Sequence, residues 1–186
     1  MGSNSKLSVD GVENVEMESG KRSVYDVLLR CVGLLLTLTA TVMVGVGKQT
    51  KVISYADFQF KATAKWEYMS ATVFLLVANA IGCSYAAISL VVSTMARSNG
   101  NKMKLFMITV LDLIIVALLF SANGAASAVG VIGMKGNSHV QWMKVCNVFD
   151  AYCHYMTVSV VFSFIASTVF LLLVVHSLFE LHYKSN

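Results

Sequence analysis

Few residues of this chain stand where their chemistry is costly, and they come with opposite charges. Arg30 lies in SVYDVLLRCVGLLLTL and Asp112 in LFMITVLDLIIVALLF, two runs otherwise built of apolar side chains. An ionisable group in such a run is expensive unless a partner or a water-filled cavity meets it. An acid and a base there can neutralise one another, relay a proton or bind an ion. Spacing favours the first. Arg22 precedes the first run with Arg30 eight residues on, and Lys104 precedes the third with Asp112 eight residues on. If both runs are helices pointing the same way, each charge lies about 12 Å beyond its basic flank, at a rise of about 1.5 Å per residue. The expectation is a structural pair, the guanidinium fork set on the carboxylate. Separate snorkelling to the headgroups suits the long arm of Arg30 better than the short arm of Asp112.

Two amides form a second polar level. Asn79 stands 18 residues before Arg97, and Asn123 stands 19 residues after Lys104. Their similar depth predicts a contact with each other or with backbone across helices, worth about 0.6–2 kcal/mol. Asn123 is also 11 residues beyond Asp112, about three turns, and so shares its helix face. Val116 and Leu119 lie between them and leave that face dry. A small-solute or ion channel or transporter using Arg30 and Asp112 is therefore the runner-up to a structural reading.

Other reactive types are sparse. There is no HExxH, phosphate loop or GxSxG, and no nucleophile has a base at a recognisable spacing. No catalytic residue, cofactor or metal is expected. His176 and His182, with Glu180 and Lys184, read as a solvated or headgroup-facing cap. Cys31 and Cys83 fall within apolar runs as small buried residues. Cys146 and Cys153 share one loop. Their first reading is a disulfide, which needs an oxidising compartment. Two reduced thiols, or a weak zinc site with His139 and His154, are the alternatives.

The elements that must position these residues follow from composition. Of 186 residues, 56 % are apolar and only 13 % charged, with no proline; soluble domains carry about 25 % charged residues. The net charge of +4 is scattered, unlike the clustered basic face of a nucleic-acid binder. The apolar residues gather into four stretches at about 24–46, 69–95, 105–132 and 156–179. Each exceeds the roughly 20 residues that cross a hydrocarbon core. The fold class is all-α, a four-helix transmembrane bundle. Residues 1–23 are polar, mixed in charge and free of the pattern of a signal peptide, and read as a disordered tail. Residues 24–182 form the four-span membrane domain and 183–186 a short C-terminal tail.

Four spans place both termini on one side. The 96–104 loop holds Arg97, Lys102 and Lys104 and no acid, and the first flank holds Lys21 and Arg22. These favour a cytoplasmic position. The opposite loops carry six Lys or Arg, as many as the cytoplasmic candidates near the membrane, so density in the short loop and the cysteine pair decide the orientation. The first opposite loop alternates over 54–60 and holds Tyr55, Phe58, Phe60, Trp66 and Tyr68. It reads as a short strand or an interface-lying segment, with Trp66, Tyr68 and Trp142 in an aromatic belt.

Small residues supply packing faces. The first helix offers Gly33 and Gly45, with Thr37 and Thr41 between. The second offers Gly82 and Ala86, the third Ala126 and Gly130, and the fourth Ser159, Ser163 and Ser167. Small-xxx-small stripes permit close helix approach, inside the bundle or between protomers.

Several of these features, in order, carry a family resemblance. They are the Arg30 region, VGKQT at 46–50, FLLVANAIGCSYAAISLV at 74–91, Asp112, SANGAASAV at 121–129 and WMKVCNVFDAYC at 142–153. The chain resembles the plant Casparian strip membrane domain proteins, and most closely the Casparian-strip-like (CASP-like) proteins of subgroup 1. That resemblance covers nearly all of residues 25–181. It implies a MARVEL-like four-helix bundle with cytoplasmic termini in the plasma membrane, and an intramembrane arginine and aspartate that match Arg30 and Asp112. It also implies a non-enzymatic scaffold forming homo- and hetero-oligomers with related four-span proteins and gathering extracellular wall-modifying enzymes. Strip-forming members carry a short signature in the first outer loop that SYADFQFKATAKWEY does not preserve. Scaffold and topology therefore carry over, and barrier building does not. A claudin-like chain would need a cysteine pair in the first outer loop, and a tetraspanin a large cysteine-rich second loop.

Overall fold

The computed structural model describes the backbone of residues 3–55, 58–98, 102–140 and 142–183, and side chains over 24–53, 59–95, 103–139 and 142–182. Four helices dominate: α1 (Ser3–Val46), α2 (Ser70–Ser98), α3 (Lys102–Lys135) and α4 (Asp150–Tyr183). A hairpin of β1 (Lys48–Tyr55) and β2 (Phe58–Lys65) joins α1 to α2. Each helix holds a stretch long and apolar enough to cross a membrane: Val24–Val46, Ser70–Met95, Met103–Lys135 and Asp150–His182. With apolar side chains on every face, these helices suit lipid on one side and each other on the rest.

The helices form a ring. α1 packs against α2 and α4, and α3 packs against the same two, so α1 and α3 face each other across the bundle axis. Val44, Leu75, Ala78, Leu119, Ala122, Phe170 and Leu173 are fully buried along that axis. Leu35, Val42, Ile88, Ile114 and Leu172 are exposed on the outside, as a lipid-facing surface requires.

Helix limits depart from expectation where local chemistry extends them. α1 runs back through the polar segment read as a disordered tail to Ser3. Nucleation is the costly step in helix formation and propagation is not, and the segment holds no proline to break a helix continued from the spanning segment. The side chains of that tail, and its first two residues, lie outside the described set. α4 begins six residues before the expected 156, at Asp150, whose carboxylate suits a helix N-terminus. α3 ends at Gly136, which has φ +70° and donates its N–H to Ile132 O at 2.8 Å. This is the left-handed glycine end of a helix. A Cβ there would meet the Trp142 carbonyl oxygen at 2.8 Å.

The expected single strand over 54–60 is the tip of the hairpin. Register runs from Lys48 opposite Lys65 to Tyr55 opposite Phe58. β-branched and aromatic residues on both arms favour the pairing. Residues 56–57 lie outside the described set.

Candidate functional site

Four side chains from three helices converge on Arg30. Asp26 and Arg30 are one turn apart on α1, and Arg30 Nε donates to Asp26 Oδ2 at 3.2 Å. Tyr85 and Ser89 are one turn apart on α2, which places both on one face. Arg30 Nη1 donates to Ser89 Oγ at 2.9 Å and to Asp112 Oδ1 at 3.1 Å, while Nη2 donates to Asp112 Oδ2 at 2.9 Å. The fork thus grips the α3 carboxylate bidentately across the bundle axis. Tyr85 donates to Asp112 Oδ1 at 2.7 Å and stands 3.1 Å from the Ile108 carbonyl. Ser89 donates its own hydroxyl to Ala86 O at 3.1 Å.

Burial makes this arrangement obligatory. Arg30 is 1 % exposed and Asp112 0 %. A buried charge left alone costs several kcal/mol, which only good geometry and additional hydrogen bonds offset. Four of the five guanidinium N–H groups are engaged, and both Asp112 oxygens accept. Above the network, Phe170 packs near Tyr85 with ring centroids 6.5 Å apart, and its ring lies 3.4 Å from a Cβ built on Gly33. Leu119, fully buried, closes the side next to Gly82. The site is a buried clamp that ties α1, α2 and α3 at one level.

The upper polar level differs from the sequence expectation. Asn79 and Asn123 are both fully buried, yet neither bonds the other among the described hydrogen bonds. Asn123 Nδ2 donates to Ser167 Oγ on α4 at 3.0 Å, and Ser167 donates to Ser163 O at 2.7 Å. Asn79 Nδ2 turns back to Leu75 O on its own helix at 2.8 Å. Equal depth does not fix azimuth, and α4 brings Ser167 to the side of α3 that holds Asn123.

The proposed packing residues divide. Ser159, Ser163 and Ser167 are fully buried, as is Ala86; Ala126 is 7 % exposed. Ser159 donates across to Ala40 O of α1 at 2.9 Å. Gly33 and Gly82 face neighbouring side chains at ordinary contact distance. Gly45 and Gly130 do not pack inside the bundle: a Cβ on either meets nothing within 4 Å. Each lies on the outward arc of its helix, which spacing alone could not orient.

Cys146 and Cys153 form a disulfide, with Cα atoms 5.6 Å apart; Cys31 and Cys83 are free thiols. Among the described residues no group of three His, Cys, Asp or Glu is placed to hold a metal. Glu180 is buried at 7 % exposure rather than solvated, and His176 stacks near Tyr25 at 5.6 Å between ring centroids. Sequence reasoning missed Asp26, Tyr85 and Ser89. The four-residue spacings 26/30 and 85/89 were the available signal, but tyrosine and serine are too ordinary in membrane helices to draw notice.

A family model for the Casparian strip membrane protein domain matches residues 19–169. CASP-like protein 1E1 of Vitis vinifera is 49 % identical over 200 residues, covering 100 % of this chain and 99 % of that protein. CASP-like protein 1E2 of the same species is 48 % identical, with 96 % of each chain covered. CASP-like protein 1E1 of Ricinus communis is 47 % identical over the full length of both. No solved structure matches the chain.

Proposed function

The chain belongs to the Casparian strip membrane protein domain family, and from that premise we propose a non-enzymatic scaffold that organises a membrane domain. It sits in the plasma membrane as a multi-pass protein with both termini in the cytoplasm. It associates with its own copies and with related four-span proteins, and recruits wall-modifying proteins on the outer side. One observation carries this reading. The only charges clamped across the bundle axis among the described residues are spent on each other and on Asp26, Ser89 and Tyr85. A proton relay, ion site or catalytic pair needs a polar group free to change partners, and this clamp offers none at the axis. The orientation is supported by the disulfide, which belongs in an oxidising compartment.

The test has two arms. Crosslinking of the full chain in native membranes is expected to trap homo-oligomers, and tracked molecules are expected to diffuse more slowly than a monomeric four-span control. Purified protein in liposomes is expected to pass no ion or small solute above background. Monomers that diffuse freely, or a flux abolished by Asp112→Asn, would replace the scaffold with the transport reading.

A further inference from the structure

At the hairpin end of the bundle, α2, α3 and α4 enclose a cavity of about 280 Å³. This is close to the lower limit of ordinary ligand pockets, about 300 Å³. Its walls are apolar almost throughout and include Leu75, Ala126, Val160 and both cysteines of the Cys146–Cys153 disulfide. Its lining includes Gly130 of α3 and Val161 of α4, both exposed on the outside of the bundle, Val161 at 52 %. The mouth therefore faces lipid.

One polar group inside has nothing to bond. Tyr152 lines the cavity and is 5 % exposed, and its hydroxyl finds no hydrogen-bond partner among the described residues. The adjoining Thr72 hydroxyl donates to the Trp66 carbonyl at 2.6 Å, and although it neighbours Tyr152 it makes no hydrogen bond of acceptable geometry with it. A buried hydroxyl without a partner costs about 1–3 kcal/mol, so it marks a place for an acceptor. Helix register gives its depth. Ser159 bonds Ala40, and Met156 reaches Gly47, which puts Tyr152 level with Val46, the end of the first span. That level is the boundary between headgroups and hydrocarbon. From there Val160 is eight residues further in, about 12 Å along the helix.

We propose that this cavity holds one acyl chain of an ester-linked membrane lipid from the leaflet on the hairpin side. The chain lies along Leu75, Ala126 and Val160, and Tyr152 donates its hydroxyl proton to the ester carbonyl. Each property of the site has its counterpart in this ligand: a lateral mouth, an apolar slot running inward, and a single donor at carbonyl depth. The proposal is independent of the scaffold reading, since a transporter or a monomer would carry the same site.

The experiment uses the full chain in bilayers doped with a diacyl phosphatidylcholine carrying a diazirine in its chain, with labelled residues mapped by mass spectrometry. Labelling is expected to concentrate on the cavity wall relative to Leu172 on the outer face, which is 48 % exposed. Unlabelled ester lipid is expected to compete about five- to tenfold better than its ether-linked analogue, the worth of one hydrogen bond. Tyr152→Phe is expected to abolish that preference without lowering stability in lipid-free detergent, because the atom removed has no protein partner. Gly130→Leu, whose new side chain enters open space at the mouth, is expected to lower cavity labelling but not Leu172 labelling. Uniform labelling, equal competition by ester and ether lipids in the wild type, or better displacement by a sterol would each overturn the assignment.

Discussion

Asp112 is held by three hydrogen bonds from two helices, so its removal leaves the buried Arg30 fork with only Asp26 and Ser89 to meet it rather than merely deleting a contact. Asp112→Ala is expected to cost about 3–5 kcal/mol, the penalty for breaking a buried pair, read as a lower unfolding midpoint in detergent. Replacing both partners by apolar residues, Arg30→Met with Asp112→Leu, is expected to recover part of that loss. Recovery stays partial because Asp26 keeps its place at 1 % exposure. A double variant as impaired as the worse single one would end the pairing argument. Tyr85→Phe removes one charge-assisted hydrogen bond and is expected to cost about 2 kcal/mol, leaving the helix ring intact. The Arg30–Asp112 pair was legible in the sequence because each charge has a basic flank that sets its depth. Asn79 and Asn123 had matching depths too, and still chose other partners. Depth along a helix comes from counting residues, whereas azimuth depends on how four helices settle against one another, and no count of residues supplies it.

Between the elements, the join of hairpin and α4 illustrates what local patterns conceal. Four apolar runs announced four helices, but the loop after the first has its one glycine at Gly47, ahead of the strands, and no glycine or proline between them, so its strand pairing read as one short strand. The hairpin then does something no local pattern predicts. Gln49 Oε1 accepts the Tyr152 backbone N–H at 2.9 Å, and Gln49 Nε2 donates to Asp150 Oδ1 at 3.2 Å. A β-strand side chain thereby serves a first-turn donor of α4, an orphan group at any helix start. Lys51 adds an exposed ion pair to Asp150 at 3.0 Å, a contact of small worth at the surface. Gln49→Ala is expected to speed hydrogen exchange at the Tyr152 amide and along β1 while the unfolding midpoint of the bundle barely moves. Unchanged exchange would mean that the Gln49 hydrogen bonds do not hold the hairpin to α4. The disulfide acts on the same end of α4. Its cysteines are seven residues apart, and closing so short a loop stabilises by about 2–3 kcal/mol. Cys146→Ser with Cys153→Ser is expected to lower stability by up to that amount, as reduction would.

At the scale of the whole molecule, interior and exterior make different demands on small residues. Inside, Ser159, Ser163 and Ser167 let α4 lie close to its neighbours, and Gly33 leaves room for Phe170. Outside, α3 presents Ala117, Ser121, Gly124 and Ala128 on an exposed arc, and a Cβ on Gly124 meets nothing within 4 Å. The bundle has no use for a glycine there, and helix propensity argues against one by about 0.8–1 kcal/mol. Association of helices in lipid, by contrast, depends on close backbone approach at such positions. If the protein assembles as proposed, this arc is where copies meet. Gly124→Cys, in a chain with Cys31 and Cys83 replaced by serine, is expected to form an oxidised dimer in membranes, and Leu172→Cys on the outer face of α4 is not. Gly124→Leu is expected to reduce crosslinked oligomer while holding or raising the unfolding midpoint of the monomer. That combination separates the arc from the core, where a leucine would disturb both. Equal crosslinking at the two positions, or undiminished oligomer in Gly124→Leu, would take assembly away from α3 and leave its outward glycine without a role.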